Sequence, residues 1–115
     1  MTYEQMLRKI NTAGTWFTGV FMGEIVHRYP DFANDTAAKT AFIQYMHNEY
    51  GMKLEYTYDS TKTKCYAIIS IIEGHRVLDA IDHVIQSNDK RVSDDARENA
   101  NALLDEIINK KINLP

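Results

Sequence analysis

The apolar residues of this chain recur at helical spacing in five separate segments, and this periodicity constrains the fold more than any other feature. The spacing predicts a first helix over residues 3–13, with a capping-box pattern at its start. It predicts a second helix over residues 15–29, which Pro30 ends. Residues 15–22 are also rich in β-formers, so a short strand at the start of this segment stays open.

Three more helices follow from the same periodicity. The third is predicted over residues 36–50, with Asn34 or Asp35 as its cap. The fourth carries an apolar stripe over residues 77–85, and the fifth begins after Ser93 with acidic residues in its first turn. Each of these helices therefore presents one apolar face to a core.

The pattern changes between the third and the fourth helix. Residues 52–58 alternate between apolar and polar side chains, which predicts a half-buried strand. Residues 59–64 are polar, and residues 65–72 are apolar on both faces, which predicts the antiparallel partner of that strand. We therefore expect an α+β fold: one mostly helical domain over residues 1–115, with a single antiparallel β-hairpin packed on the helical bundle.

The composition limits the classes of protein to consider. The 115 residues are 44 % hydrophobic and 25 % charged, which is typical of a chain that folds by itself. The net charge of −3 provides no overall attraction to nucleic acid or anionic lipid. Cys65 is the only cysteine, so neither an internal disulfide nor a cysteine-based zinc site can form. Because no segment is apolar for the length of a bilayer and no signal-peptide pattern is present, we expect a cytoplasmic location and no membrane contact.

Three possible metal ligands, His75, Asp79 and His83, are spaced by four residues and would follow the solvent-facing side of the fourth helix. The two histidines would lie about 12 Å apart along the helix axis, so at most two of the three could share one ion. Glu24 and His27, which are one helical turn apart, form a possible acid–base pair. A small enzyme or metal-binding protein is one alternative function, although no catalytic motif is present and no cofactor is expected.

DNA binding is another alternative, and the sequence favours it over the enzyme or metal-binding protein. Three helices followed by a β-hairpin is the element order of a winged-helix protein, in which helix 36–50 would enter the major groove and the hairpin tip 59–64 would contact phosphates. The outward face of that helix argues against DNA binding, because it carries one lysine and one glutamate. The candidate nucleic-acid residues are Lys39, Thr61, Lys62, Thr63 and Lys64.

The function that the sequence favours is a small non-catalytic binding or regulatory module that acts through a protein partner or through self-association. The second helix and segment 65–72 indicate more apolar surface than one small core can cover, and such surface is typical of protein interfaces. In one version, the module is an acidic inhibitor of a nucleic-acid-handling protein, with carboxylates in the place of phosphates. The candidate interface residues are Trp16, Phe17, Phe21, Met22, Asp79 and Asp82.

Overall fold

In a computed structural model, which describes all of residues 1–115, the chain forms six α-helices and no β-strand. A π-helical turn, His47–Gly51, directly follows the third helix. The fold is therefore all-helical, and our expectation of an α+β fold with a β-hairpin is wrong. The helices are α1 Tyr3–Ala13, α2 Thr15–Phe32, α3 Thr36–Met46, α4 Tyr58–Glu73, α5 Val77–Ile85 and α6 Asp94–Ile108.

The apolar segment 65–72 belongs to α4 rather than to a strand. This helix is capped by Thr57, whose hydroxyl accepts the backbone N–H of Ser60 at 3.1 Å. The polar residues 59–64, predicted to be a hairpin tip, therefore form its first turns. Because α4 packs against α1, α2, α3 and α5, it is buried on several sides and carries apolar side chains around much of its surface. For this reason segment 65–72 resembles a strand that is apolar on both faces. Tertiary packing here overrides the β preference of its isoleucines.

The alternating segment 52–58 is not a strand either. Its backbone groups bond locally, as in the hydrogen bond that the Tyr56 N–H donates to the carbonyl of Gly51 at 2.9 Å. Glu55 has a φ of 62°, a left-handed conformation typical of turns. Leu54 and Tyr56 pack on the core, whereas the residues beside them are exposed. The alternation therefore reflects a turn with one buried side.

The second helix extends beyond its predicted end. It includes Pro30 and continues to Phe32, and residues 15–22 are helical throughout. Proline removes a single backbone hydrogen bond, and here that loss is confined to the last turn. Phe32 is buried, with its ring stacked on Phe42 at a centroid distance of 4.8 Å. Burial of this ring keeps the last turn helical.

The third helix changes its form near its end. Asp35 caps it by accepting the backbone N–H of Ala38 at 3.0 Å, as the sequence predicts. The predicted helix 36–50 then widens at His47 into the π-helical turn, a form that inserts one extra residue into a helix. The turn places Nδ1 of His47 at 3.0 Å from the hydroxyl of Thr61, so it fixes α3 to the start of α4.

The helices α2 and α6 form a close pair. A Cβ atom added to Gly19 would lie 2.8 Å from the carbonyl oxygen of Ala96, so only glycine permits this approach. The indole N–H of Trp16 donates to the hydroxyl of Ser93 at 2.9 Å, next to the start of α6. All six helices contribute to one hydrophobic core, and none of them combines the length and the apolar character that crossing a bilayer requires.

Candidate functional site

The three candidate metal ligands do not come together. His75 precedes α5 in a left-handed conformation, and its Nδ1 lies 2.9 Å from the carbonyl oxygen of Pro115. Asp79 is paired with Arg76, with 2.7 Å between Oδ2 and Nη1. The helical spacing behind the metal prediction fails, because His75 is outside the helix that carries Asp79 and His83. No group of three or more histidine, cysteine, aspartate or glutamate side chains is placed to hold a metal ion.

Three of the four apolar candidate interface side chains lie in the core. Phe17, Phe21 and Met22 are buried, and Trp16 is half-buried with its N–H donated to Ser93. The isoleucines of α4 are also buried within the same chain. The surplus apolar surface from which we predicted a protein partner is therefore not found at these residues, and a partner would have to be recognised elsewhere.

Acidic side chains on and after α5 are partly neutralised by arginines. Asp82 is exposed, but Asp79 is paired with Arg76. In the loop that follows α5, hydrogen bonds from Arg91 lower the pKa of Asp89 to about 2. The negative charge available to imitate nucleic acid is therefore smaller than the sequence indicates.

Two of the five candidate nucleic-acid residues have structural roles. Thr61 is buried and its hydroxyl donates to the carbonyl of Thr57 at 3.2 Å. The ammonium of Lys64 donates to the carbonyl of Ala13 at 3.0 Å and lies 5.0 Å from the ring centroid of Tyr56. Because these groups bond inside the chain and the hairpin does not exist, the winged-helix interpretation is wrong.

Two other candidates, Lys39 and Lys62, meet at one aromatic ring. Nζ of Lys39 on α3 and Nζ of Lys62 on α4 each lie 6.0 Å from the ring centroid of Tyr66. The two nitrogens are therefore separated by at most twice that distance. Attraction between an ammonium and the face of an aromatic ring favours this placement. Tyr66 is 36 % exposed, so its ring is accessible at the same surface.

The ring of Tyr66 lines a groove between α1 and α4 with a volume of about 410 Å³. Thr12 and Thr63 contribute hydroxyl groups, Lys9 contributes a third ammonium, and Asp59 is the one acidic residue among the lining side chains. We call this surface the lysine–tyrosine groove. It consists of Lys9, Thr12, Asp59, Lys62, Thr63, Tyr66, Ala67 and Ser70, together with Lys39.

The lysines of this groove are not neutralised by carboxylates. None of the three forms an ion pair with an acidic side chain, so the groove is a locally positive surface on a chain whose net charge is −3. Ammonium and hydroxyl groups are donors that proteins use to bind phosphates. All eight lysines of the chain lack an ion pair, whereas an aspartate pairs with four of the five arginines: Arg28, Arg76, Arg91 and Arg97.

A second cleft, of about 380 Å³, lies between α2 and α6. Its polar groups are paired within the chain: Nε2 of His27 lies 2.6 Å from Oε2 of Glu106, and the hydroxyl of Tyr45 donates to Oε1 of Glu24 at 3.0 Å. Glu24 and His27 thus bond to different groups rather than to each other. We call this surface the α2–α6 cleft. Its hydrogen bonds connect α2 to α6 and α2 to α3.

Two potentially reactive groups are held in their neutral forms. Hydrogen bonds with Glu24 and Tyr50 raise the pKa of Tyr45 to about 12. Burial raises the pKa of the Cys65 thiol to about 12. Because the thiolate is the nucleophilic form of cysteine, Cys65 is not an activated nucleophile at neutral pH.

Lys9 and Tyr66 were not predicted as members of the site. With residues 58–73 as a helix, Lys62, Tyr66 and Ser70 are spaced by four residues and lie along one line on its surface. The strand interpretation concealed this line because it placed Lys62 in a loop. Lys9 has no local signal in the sequence, since only the packing of α1 on α4 brings it to the groove.

Comparison with known protein families, with curated proteins and with solved structures gives no significant match, so the function must be argued from the residues of the chain itself.

Proposed function

We propose that this chain is a non-catalytic binding module that recognises an anionic macromolecule through the lysine–tyrosine groove. The observation that carries the proposal is the convergence of Lys39 and Lys62, from two different helices, on the exposed ring of Tyr66 without a carboxylate to neutralise them. A ligand that carries negative charge would supply the missing counter-charge.

The remaining members of the groove support the same chemistry. Lys9 adds a third cation, and the hydroxyl of Thr63 can donate a hydrogen bond to an anionic oxygen. Asp59 opposes anion binding, but the groove retains more positive than negative side chains. The proposed setting is the cytoplasm, where a single cysteine that is free and buried is an ordinary feature.

Binding to a polyanion should depend on the three lysines. We expect fluorescence anisotropy at about 50 mM salt to detect binding of a labelled short oligonucleotide or of a labelled polyglutamate peptide, because low salt strengthens phosphate and carboxylate contacts. The triple variant Lys9→Gln, Lys39→Gln, Lys62→Gln should bind neither probe measurably, since it removes every cation of the groove.

A matched control removes three positive charges elsewhere. Lys53, Lys90 and Lys111 are exposed and do not line the groove, so the corresponding glutamine triple variant changes the net charge equally. It should retain most of the binding. The proposal is wrong if the wild-type chain binds neither probe, or if the two triple variants lose binding to the same extent.

A further inference from the structure

We infer that the macromolecule bound by the lysine–tyrosine groove is single-stranded nucleic acid, with one base stacked on the ring of Tyr66. This inference rests on the proposed function and specifies its ligand. It begins from an accessible aromatic ring with two ammonium groups over it at 6.0 Å from the centroid. When a strand binds, these flexible lysines would leave the ring for the phosphates and a base would take their place on its face, which combines the stacking and the backbone contacts that proteins use for single strands.

The geometry of the groove fits this ligand. Lys39 on α3 and Lys62 on α4 approach the ring of Tyr66, and Lys9 on α1 lines the same groove, so three helices contribute cations to this surface. The volume of about 410 Å³ lies within the range of small-molecule sites, which is suitable for one nucleotide. The hydroxyl of Thr63 is a further donor for a phosphate oxygen or a sugar.

Duplex nucleic acid fits less well. In a duplex the base faces are covered by their neighbours, so a ring in a groove between two helices cannot stack on them. Reading a duplex through α3 would need free polar side chains on its outward face. Gln44 and Asn48 instead bond to each other, with 2.9 Å between Nε2 and Oδ1.

An acidic protein segment fits only part of the groove. Its carboxylates would neutralise Lys39 and Lys62 but would leave the ring of Tyr66 without a specific partner. Lysine is also depleted at protein interfaces relative to the rest of the protein surface. The observations therefore favour nucleic acid over an acidic peptide.

The test compares four labelled probes of equal length: oligothymidylate, oligouridylate, a DNA duplex and polyglutamate. We expect both single strands to bind more tightly than the duplex and the peptide. Three lysine contacts to a single strand predict a slope of about −2 for log K against log salt, so affinity should fall about 20-fold between 50 and 200 mM salt. Comparison of the first two probes shows whether the sugar matters.

Substitution of Tyr66 isolates the stacking contact. Tyr66→Ala should weaken binding of both single strands by about tenfold or more, whereas Tyr66→Phe, which keeps a stacking face, should bind within about threefold of wild type. Tyr66→Leu retains apolar bulk without an aromatic face and should behave as Tyr66→Ala, which removes any doubt about folding of the smaller variant. None of these changes should affect binding of polyglutamate.

The outcomes separate this inference from the function on which it rests. If polyglutamate or the duplex binds as tightly as the single strands, or if Tyr66→Leu binds single strands as wild type does, the inference is wrong while anion binding stands. If no probe binds, both the inference and the proposed function are wrong. If the single strands bind with the expected dependence on salt and on Tyr66, both are supported.

Discussion

The lysine–tyrosine groove and the α2–α6 cleft have similar volumes, about 410 and 380 Å³, but they differ in how their charged groups are compensated. In the cleft, His27 is paired with Glu106 and the hydroxyl of Tyr45 donates to Glu24. In the groove, the three lysines have no carboxylate partner. A group that is paired inside the chain contributes to the fold, whereas an unpaired cation is available to a ligand. We therefore expect substitutions on the α2–α6 side to change stability, and substitutions in the groove to change binding.

The largest expected effect is at the contact between α2 and α6. Gly19→Ala should lower the free energy of unfolding by about 2 kcal/mol, because the new Cβ would overlap the backbone of Ala96 and force the helices apart. Urea unfolding followed by circular dichroism measures this change. Gly23 is the matched control, since a Cβ there meets no atom within 4 Å. Gly23→Ala should raise stability by up to about 1 kcal/mol through its helix propensity, and equal effects at the two glycines would contradict the close packing.

The next effect concerns Tyr45. Its pKa of about 12 lies above the ordinary value of 10.0, so the folded state holds the phenol proton more tightly than the unfolded state does. The resulting stabilisation is complete below pH 10 and is lost as the pH rises towards 12. Glu24→Gln should move the pKa of Tyr45 part of the way back to its ordinary value, since the Tyr50 contact remains.

Ultraviolet absorbance of tyrosinate, recorded during a pH titration, measures this shift. Glu49→Gln removes an exposed carboxylate outside the cleft and serves as the control. An unchanged titration curve in Glu24→Gln would show that the Tyr45–Glu24 hydrogen bond does not form in solution.

A smaller effect is expected at Trp16 and Ser93, where α2 contacts the start of α6. Trp16→Phe keeps most of the aromatic packing but removes the N–H that donates to Ser93, so unfolding should become easier by about 1 kcal/mol. Adding Ser93→Ala to this variant should cost less than Ser93→Ala costs in the wild-type chain, because the two residues share one interaction. Strict additivity of the two changes in urea unfolding would argue against that bond.

The smallest effect on stability is expected in the groove. The lysine triple variant that abolishes binding should unfold within about 0.5 kcal/mol of wild type, because unpaired surface charges contribute little to stability. Water and salt screen the repulsion between exposed ammonium groups, so removing them brings no large gain either. A loss greater than about 1 kcal/mol in urea unfolding would show that these lysines support the fold and would remove the contrast between groove and cleft.

The five helices that the sequence predicts are all present, because each combines an amphipathic period with local signals at its ends. The Thr2 capping box and the Asp35 cap are two such signals, and both act as expected. The remaining helix, α4, was not predicted. Its isoleucines prefer strands and its burial on several sides removes the amphipathic pattern, so only its contacts with the neighbouring helices determine its conformation.

The site was predictable only in part. Lys39 and Lys62 are members of both the predicted nucleic-acid set and the lysine–tyrosine groove, but their meeting at Tyr66 depends on how α3 packs against α4. The burial of Phe21 and Met22 is likewise a tertiary property, since the composition of a helix does not show whether the rest of the chain can cover it. In both cases the residue types can be read from the sequence, but their neighbours in the folded structure cannot.

The composition of α4 has a consequence for the chain when its native packing is lost. Residues 65–72 contain no charged residue, no proline and no glycine, and they include four isoleucines, which is the signature of segments that assemble into cross-β fibrils. In the native state the main-chain amides of this segment are committed to the helix, and most of its side chains are buried against the neighbouring helices, whereas Tyr66 is exposed. A variant that loosens those neighbours would release a segment able to pair with copies of itself, so the native helix also protects the chain against amyloid assembly.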